Sequence, residues 1–453
     1  MNGYRARVDG SPPRVIVIGA GMAGLAAAWG LDRAGLRVLL LERGARAGGR
    51  TAARSEGGYA FEAAPVLLTR GDRRLHEWIE SVGLRDELLP LRPLTTAIVH
   101  LGAVYDADVR HLLDVRRLRG VRLLHALRLA RLPRLLARYA PMLDPESPER
   151  AAALDDRSLA DFCRLYFGRS VLDGFVGPRA TAIAAGDPET MSRVQFLLHM
   201  RRDALGRAGL LRAGLSELVE RVAARLPVQF ETGVETLEPL PQGALRATSV
   251  DGRTWCADAV VLATPAPEAA RIAAPLLGYA ERQQLRAVRY AALVSVVAAL
   301  RRPLAAHPQQ VLVSRSERSP LAAALLEPGV PGGRVPGGRG LVTLRSTEAF
   351  AASRFDAPSE ALTKELIGAF DAIWPGALRA VEFSRAFRVS HSAPRFDVGR
   401  YRDIERFESI QAERRSAGRR LYFAGDYLVH PSPEGAVVSA RRAAAAAAAD
   451  LLP

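Results

Sequence analysis

Three glycines, Gly19, Gly21 and Gly24, stand in the run VIVIGAGMAGLAAAWGL with the spacing G-x-G-x-x-G, after an apolar strand-like stretch and at the start of a helical run, 22–34. That spacing suits a backbone folded tightly round an anion. The first glycine permits the turn, the second lets the main chain approach a pyrophosphate, and the third packs helix on strand, with the phosphates at the helix N-terminus. Ala20, Met22 and Ala23 complete the loop. Glu42 ends the next apolar strand, 18 residues after Gly24, where a carboxylate can accept hydrogen bonds from ribose hydroxyls. Strand, loop, helix, strand and acid in this order point to a dinucleotide site. A second cluster follows at once: RAGGRT, 46–51, in which Gly48 and Gly49 admit a close ligand backbone and Arg46 and Arg50 supply charge for phosphates. A domain built for NAD alone has no need of it.

The elements that must hold these residues are legible at coarse grain. Residues 1–12 read as a loose arm, 15–18 as a short buried strand, and 70–205 as mostly leucine-rich helical pattern without strand alternation. Strand-like runs return between 228 and 265 as VQFETGVETL, ALRATSV and ADAVVLATP. AVRYAALVSVVAALRRP and GLVTLRS suggest further strands, separated by the loop GVPGGRVPGGRG, and RLYFAGD leads into an alanine-rich C-terminal helix. No internal repeat is present.

Composition narrows the function classes. The chain has 453 residues, 49% hydrophobic and 25% charged, ordinary values for a globular protein of two or three domains. No run approaches the roughly 18 to 20 apolar residues that span a bilayer, and the N-terminus lacks a signal pattern, so the expected compartment is the cytoplasm. With Cys163 and Cys256 alone, neither a disulfide framework nor a cysteine metal cluster is expected, and no metal site is assigned. The net charge of +15 would suit nucleic acid, but Lys364 is the only lysine and the arginines are scattered among alanines, a compositional bias rather than a binding face. No nucleic-acid partner is expected.

With both glycine clusters in place, the chain resembles the flavin amine oxidase superfamily, on the branch of protoporphyrinogen oxidases and phytoene-type carotenoid desaturases. The resemblance implies FAD as the dinucleotide. GLSELVERVAARLPVQFETGVETLE, 214–238, is similar to the family's helix and strand that place a backbone beside adenine, here Val234. ADAVVLATP resembles the strand returning to the dinucleotide fold, with Ala263 near its end, and RLYFAGDYLVHPSPEGAVVSARRAAAA resembles the closing flavin motif. In that motif Gly425 and Asp426 fall at the ribityl and pyrophosphate end, and Glu434, Gly435 and Ala436 begin a helix whose N–H groups would face the flavin pyrimidine edge. The resemblance also implies contacts from Arg43, Ala64, Pro65 and Val66. The expected fold is α/β: a discontinuous Rossmann-like FAD domain from 13–75, 208–288 and 386–453, with a mixed α+β substrate domain from the helical region 76–207 and the β region 289–385.

The expected reaction is FAD-dependent two-electron dehydrogenation of a hydrophobic small molecule, the flavin being reoxidised by oxygen or a quinone. An amine or amino-acid oxidase of the same fold, or a flavin-binding protein without turnover, remain as alternatives. In many amine oxidases of the superfamily a lysine holds a water near flavin N5; lined up on ALVSVVAALRRP that place falls near Ser295. VSHSAPRFDVGRY offers no cysteine for covalent attachment, so FAD is expected to be non-covalent. The SPEGAV of the closing motif is nearer the desaturases than typical protoporphyrinogen oxidases, and no catalytic residue is assigned. Arg179, Tyr59, Phe61, His391 and His430 are candidates outside the FAD shell. Finally, RHLLDVRRLRGVRLLHALRLARLPRLLAR, 110–138, alternates leucine and arginine with Asp114 as its sole acid, and Pro133 breaks it near its end. It reads either as a basic amphipathic helix lying on the anionic inner face of a membrane or as a leucine face packed into the helical domain.

Overall fold

The computed structural model describes residues 14–107, 112–184, 186–202, 206–304 and 308–452. The expected arm, 1–12, lies outside these residues, as do Arg110 and His111 of the basic segment.

Successive side chains of a strand point to opposite faces, so an unbroken apolar run such as VIVI needs cover on both sides. Arg14–Ile18 has it, at the centre of a five-stranded parallel sheet ordered Val228–Gln229, Arg37–Leu41, Arg14–Ile18, Ala259–Leu262, Leu421–Phe423. Val15 and Val17 bury into one layer with helices Met22–Arg33 and Pro433–Leu451, and Ile16 and Ile18 into another with helix Ala266–Ile272. The alanine-rich C-terminal helix lies close along the first helix on small side chains: a Cβ on Gly30 would stand 3.3 Å from the Ala444 Cβ. Larger residues would push the two helices apart and away from the glycine loop.

The second large sheet has seven strands, ordered Val381–Pro394, Tyr290–Leu300, Gly340–Ser346, Leu321–Pro328, Gln310–Val313, Thr96–His100, Ala103–Asp106. Neighbours are antiparallel except Gln310–Val313 and Thr96–His100, which are parallel. One face packs on helix Ser359–Asp371 through Leu362, Leu366 and Phe370. Across the other, Phe387, Ser295, Arg345, Ala323 and Leu312 stand opposite one another on five adjacent strands.

Three expectations change. The region 70–205 contains strands Arg92–Pro93, Thr96–His100 and Ala103–Asp106. The central one is buried from Ala97 to His100 and so shows no alternation to read. Strand Val381–Pro394 is one ribbon of the seven-stranded sheet, so 386–394 belongs to that sheet and not to a nucleotide region starting at 386. The described part of 110–138 is not one helix but a tight turn, Leu112–Arg117, followed by helices Leu123–Leu129 and Leu132–Tyr139. Pro133 stands in the first turn of the last of these, where its missing N–H costs nothing, so it starts a helix rather than breaking one.

Candidate functional site

The three glycines of the first loop are glycine for different reasons. Gly19 has φ +102°, and a Cβ there would stand 3.0 Å from the Ala263 carbonyl oxygen. A Cβ on Gly24 would fall 1.8 Å from the Gly19 carbonyl oxygen, so the helix lies directly on the turn. At Gly21, φ is −80° and a Cβ would meet nothing within 4 Å: no protein atom demands glycine. Helix Met22–Arg33 starts at this residue with no side-chain cap and no acid in its first turn. Its first amides and the positive end of its dipole are left for an anion.

The second cluster is stitched to the first. Gly48 N–H donates to the Ala20 carbonyl at 2.9 Å, and a Cβ on Gly49 would come within 3.5 Å of the Gly21 Cα. Glu42 ties the two loops further: Oε2 accepts from Ala20 N–H and Oε1 from Gly44 N–H, both at 2.7 Å. Each carboxylate oxygen keeps a lone pair for a hydroxyl.

These loops form one end of a cavity of about 800 Å³ that continues to the seven-stranded sheet. Of the expected cofactor residues, Gly19, Gly21, Met22, Ala23, Glu42, Arg43, Gly48, Gly49, Arg50, Ala64, Pro65, Val66, Val234, Ala263, Gly425, Asp426 and Ala436 line it. Ala20, Gly24, Glu434 and Gly435 do not.

The last two are corrections to the reading of the closing motif. The Glu434 side chain caps helix Arg73–Ser81, accepting from Arg74 N–H at 3.0 Å and Leu75 N–H at 2.7 Å, and burial lifts its pKa to about 7. Gly435 N–H is taken by Ser432 Oγ at 3.1 Å, an N-cap the sequence reading passed over although SPEG is a good cap sequence. A Cβ on Gly435 would lie 2.1 Å from the His430 carbonyl oxygen, so this glycine serves the turn itself. Asp426 and Arg50, 376 residues apart, form a two-pronged ion pair at 2.7 and 2.8 Å across the cavity wall. This pair locks the second glycine cluster to the closing motif.

The other candidates divide. Arg179 lines the cavity, but its guanidinium donates to the Ala107 carbonyl at 2.7 Å and lies 3.8 Å from the Phe175 ring centroid. His391 lines the cavity beside Tyr290. Tyr59 donates to the Leu300 carbonyl and, with Phe61, packs around Phe383, away from the cavity. His430 borders a smaller neighbouring cavity, and burial brings its pKa down to about 3, which keeps the ring neutral. Ser295 is fully buried and donates from Oγ to the Ala63 carbonyl at 2.6 Å, while Lys364 sits exposed on helix Ser359–Asp371.

Sequence reasoning missed the residues at the far end of the cavity, among them Leu94, Thr96, His199, Arg202, Gln310, Leu312, Leu325 and Arg345. They come from five separate segments with no shared motif; only the period-two pattern of GLVTLRS, with Thr343 and Arg345 on one face, signalled a polar pair inside a strand.

Comparison with known proteins agrees with this geometry. A family model for flavin-containing amine oxidoreductases matches residues 22–448. The mitochondrial protoporphyrinogen oxidase of Nicotiana tabacum is 28% identical over 183 residues, 40% of this chain and 34% of that protein. An L-amino-acid oxidase of Demansia vestigiata is 43% identical over 77 residues, 17% of this chain and 15% of its own. A neurosporene-forming phytoene desaturase of Rhodobacter capsulatus is 36% identical over 97 residues, 21% and 18% respectively. Each match therefore spans about a third of the relative's length or less. The solved structure of cyclohexylamine oxidase from Brevibacterium oxydans IH-35A shares the fold, with a TM-score of 0.76 at 19% identity over 98% of this chain and 100% of that one.

Proposed function

The chain belongs to the family of flavin-containing amine oxidoreductases, and on that premise we propose that it is an FAD-dependent oxidoreductase that dehydrogenates a hydrophobic substrate in the manner of a protoporphyrinogen oxidase or carotenoid desaturase. In this reading FAD is held non-covalently and is reoxidised by oxygen or a quinone. The observation that carries it is the single cavity joining both glycine clusters to an apolar pocket under the seven-stranded sheet.

The residues present fit the cofactor. The empty space at Gly21, in front of an uncapped helix N-terminus, suits a pyrophosphate, and Glu42 and Val234 stand together where ribose and adenine would lie. When bound, FAD supplies the hydride acceptor. The protein's part is to orient and to keep water out. Leu312, Ala323, Ala324 and Leu325 wall the substrate end, and the seven-stranded sheet closes it from behind. Neutral His430 and the occupied Ser295 hydroxyl provide no base, which suits a substrate that gives up hydride. Cys163 is buried in the helical core and Cys256 lies on strand Thr254–Ala257; neither lines the cavity, which supports non-covalent binding.

We also propose peripheral contact with the inner face of a membrane from the cytoplasm. Among the described residues no helix is long and apolar enough to cross one. Leu123, Leu124 and Leu127 are 59%, 69% and 51% exposed, with Arg116, Arg117, Arg119, Arg122 and Arg128 close in sequence. Leucines that reach solvent beside arginines match a surface element better than a packed face.

Anaerobic mixing of the holoprotein with a porphyrinogen, a polyene precursor, benzylamine, a polyamine and an L-amino acid tests the reaction. Bleaching of the flavin by an apolar donor and not by the amines is the expected result. Rapid bleaching by an amine or amino acid would instead make it an amine or amino-acid oxidase, and no bleaching by any donor would favour a binding protein without turnover.

A further inference from the structure

Arg345 stands in the middle strand row of the seven-stranded sheet, between Ser295 and Ala323, and lines the far end of the cavity. Among the described residues no hydrogen bond or ion pair ties its guanidinium to the protein, while burial disfavours its charge and pulls its pKa down. Two residues along the same face, Thr343 Oγ1 is buried and also has no partner among the described residues. Arg345 is half-buried and faces the cavity; a guanidinium partly withdrawn from water with no anion beside it is a ready receptor for an anion that arrives.

The charges around it point the same way. Arg179 and Arg202 line the cavity as well, Arg202 with its charge met by Asp72 at 3.4 Å. Among the described residues the acids lining the cavity are Glu42, Glu268 and Asp426, all at the dinucleotide end, and each is engaged: Glu42 by two backbone amides, Glu268 by Arg271, Asp426 by Arg50. Among the described residues the substrate end is thus apolar wall with Arg179 and Arg345 as positive charges that no lining acid faces. We propose that the substrate is an apolar carboxylic acid, and that Arg345 is the specificity-determining residue that receives its carboxylate. The inference rests on the substrate pocket proposed above and adds the class of molecule that fills it. A planar guanidinium takes a carboxylate by two parallel N–H donors, which would also fix which carbon of the apolar body faces the flavin.

The test uses holoprotein and paired ligands: decanoate and phenylacetate against their methyl esters, with binding read by calorimetry and by displacement of the flavin absorbance band. A charge-assisted hydrogen bond in a desolvated site corresponds to about 10- to 100-fold in affinity, so acids should bind that much tighter than esters. Arg345→Gln and Arg345→Met should erase the preference while leaving ester affinity within about twofold and flavin content unchanged. Arg345→Met also removes a half-buried charge with no partner among the described residues, so its Tm without ligand should equal or exceed that of the natural protein. Equal binding of acid and ester by the natural protein, retention of the preference by both variants, or a marked fall in Tm for Arg345→Met would each overturn the assignment. Because binding is read without turnover, a protein that prefers acids through Arg345 but oxidises none of the proposed donors would sink the dehydrogenase reading and leave this one standing.

Discussion

Gly21→Ala and Gly24→Ala differ by three positions on one loop and should fail in opposite ways. At Gly21 the backbone is already one that alanine adopts, and the added methyl meets no protein atom within 4 Å. Alanine is a poorer N-cap than glycine, which costs about 0.5 to 1 kcal/mol and, in a chain this long, no more than about 2 °C in Tm. That methyl occupies the space assigned to the pyrophosphate. Displacing it from two helix amides forfeits two charge-assisted hydrogen bonds, about 3 to 6 kcal/mol, or roughly 100- to 10,000-fold in FAD affinity. At Gly24 the methyl falls 1.8 Å from a carbonyl oxygen, so helix and turn must separate, with an overpacking cost of about 3 kcal/mol or more to the fold itself. Apoprotein melting by circular dichroism and FAD titration by flavin fluorescence quenching read the two quantities separately. The account expects a stable Gly21→Ala that does not hold FAD and a Gly24→Ala that melts early even as apoprotein. A Gly21→Ala protein with natural FAD affinity would refute the placement of the phosphates.

Three further outcomes follow from buried charges and exposed leucines. Burial raises the pKa of Glu434 from 4.5 to about 7, so the folded state is the better proton binder; its stabilising contribution is full below pH 4.5 and fades as pH rises through 7. The unfolding free energy of Glu434→Gln relative to the natural protein should therefore climb by about 3 kcal/mol between pH 4.5 and 8, and a difference that stays flat with pH would contradict this. Arg334 is buried between Glu62 at 3.2 Å and Glu327 at 2.6 Å, so Arg334→Met, by stranding two buried carboxylates, should cost about 3 to 5 kcal/mol in denaturant titration, and more at pH 8 than at pH 5; a neutral effect would show that water reaches the pair. Anionic liposomes should pellet the protein and neutral ones far less; replacing Arg116, Arg117, Arg119 and Arg122 with glutamine should weaken this noticeably, whereas the same change at Arg414, Arg415, Arg419 and Arg420 should not, and equal loss in both would make the attraction a matter of overall charge.

What could be read from sequence alone was whatever is local. Gly19, Gly21, Gly24 and Glu42 act through spacing within one strand–helix–strand unit, and Gly48 and Gly49 follow directly, so both clusters were visible as motifs. The Arg50–Asp426 pair joins residues 376 apart and leaves no trace in either motif. Each end reads as a ligand contact until the fold sets them face to face. Glu434 misled for the same reason: its position in SPEG points to the flavin, but helix Arg73–Ser81, which it caps, is distant in sequence. The substrate end was the least legible, because Arg345 acquires its meaning from the strands on either side, Tyr290–Leu300 and Leu321–Pro328, and from having no side-chain partner among the described residues. The segment 110–138 shows the opposite error: its repeat of leucine and arginine looked continuous, while the pieces on either side of residues 118–122 turn separately.

The most direct test of the account is to heat-denature the purified yellow protein, remove the precipitate and identify what stays in solution. The account predicts FAD in the supernatant at about one per chain, recognised by the rise in fluorescence when phosphodiesterase splits it, and a colourless pellet. A colourless protein that takes up NAD, or a pellet that keeps its yellow colour, would contradict a cavity built to hold FAD without a covalent bond.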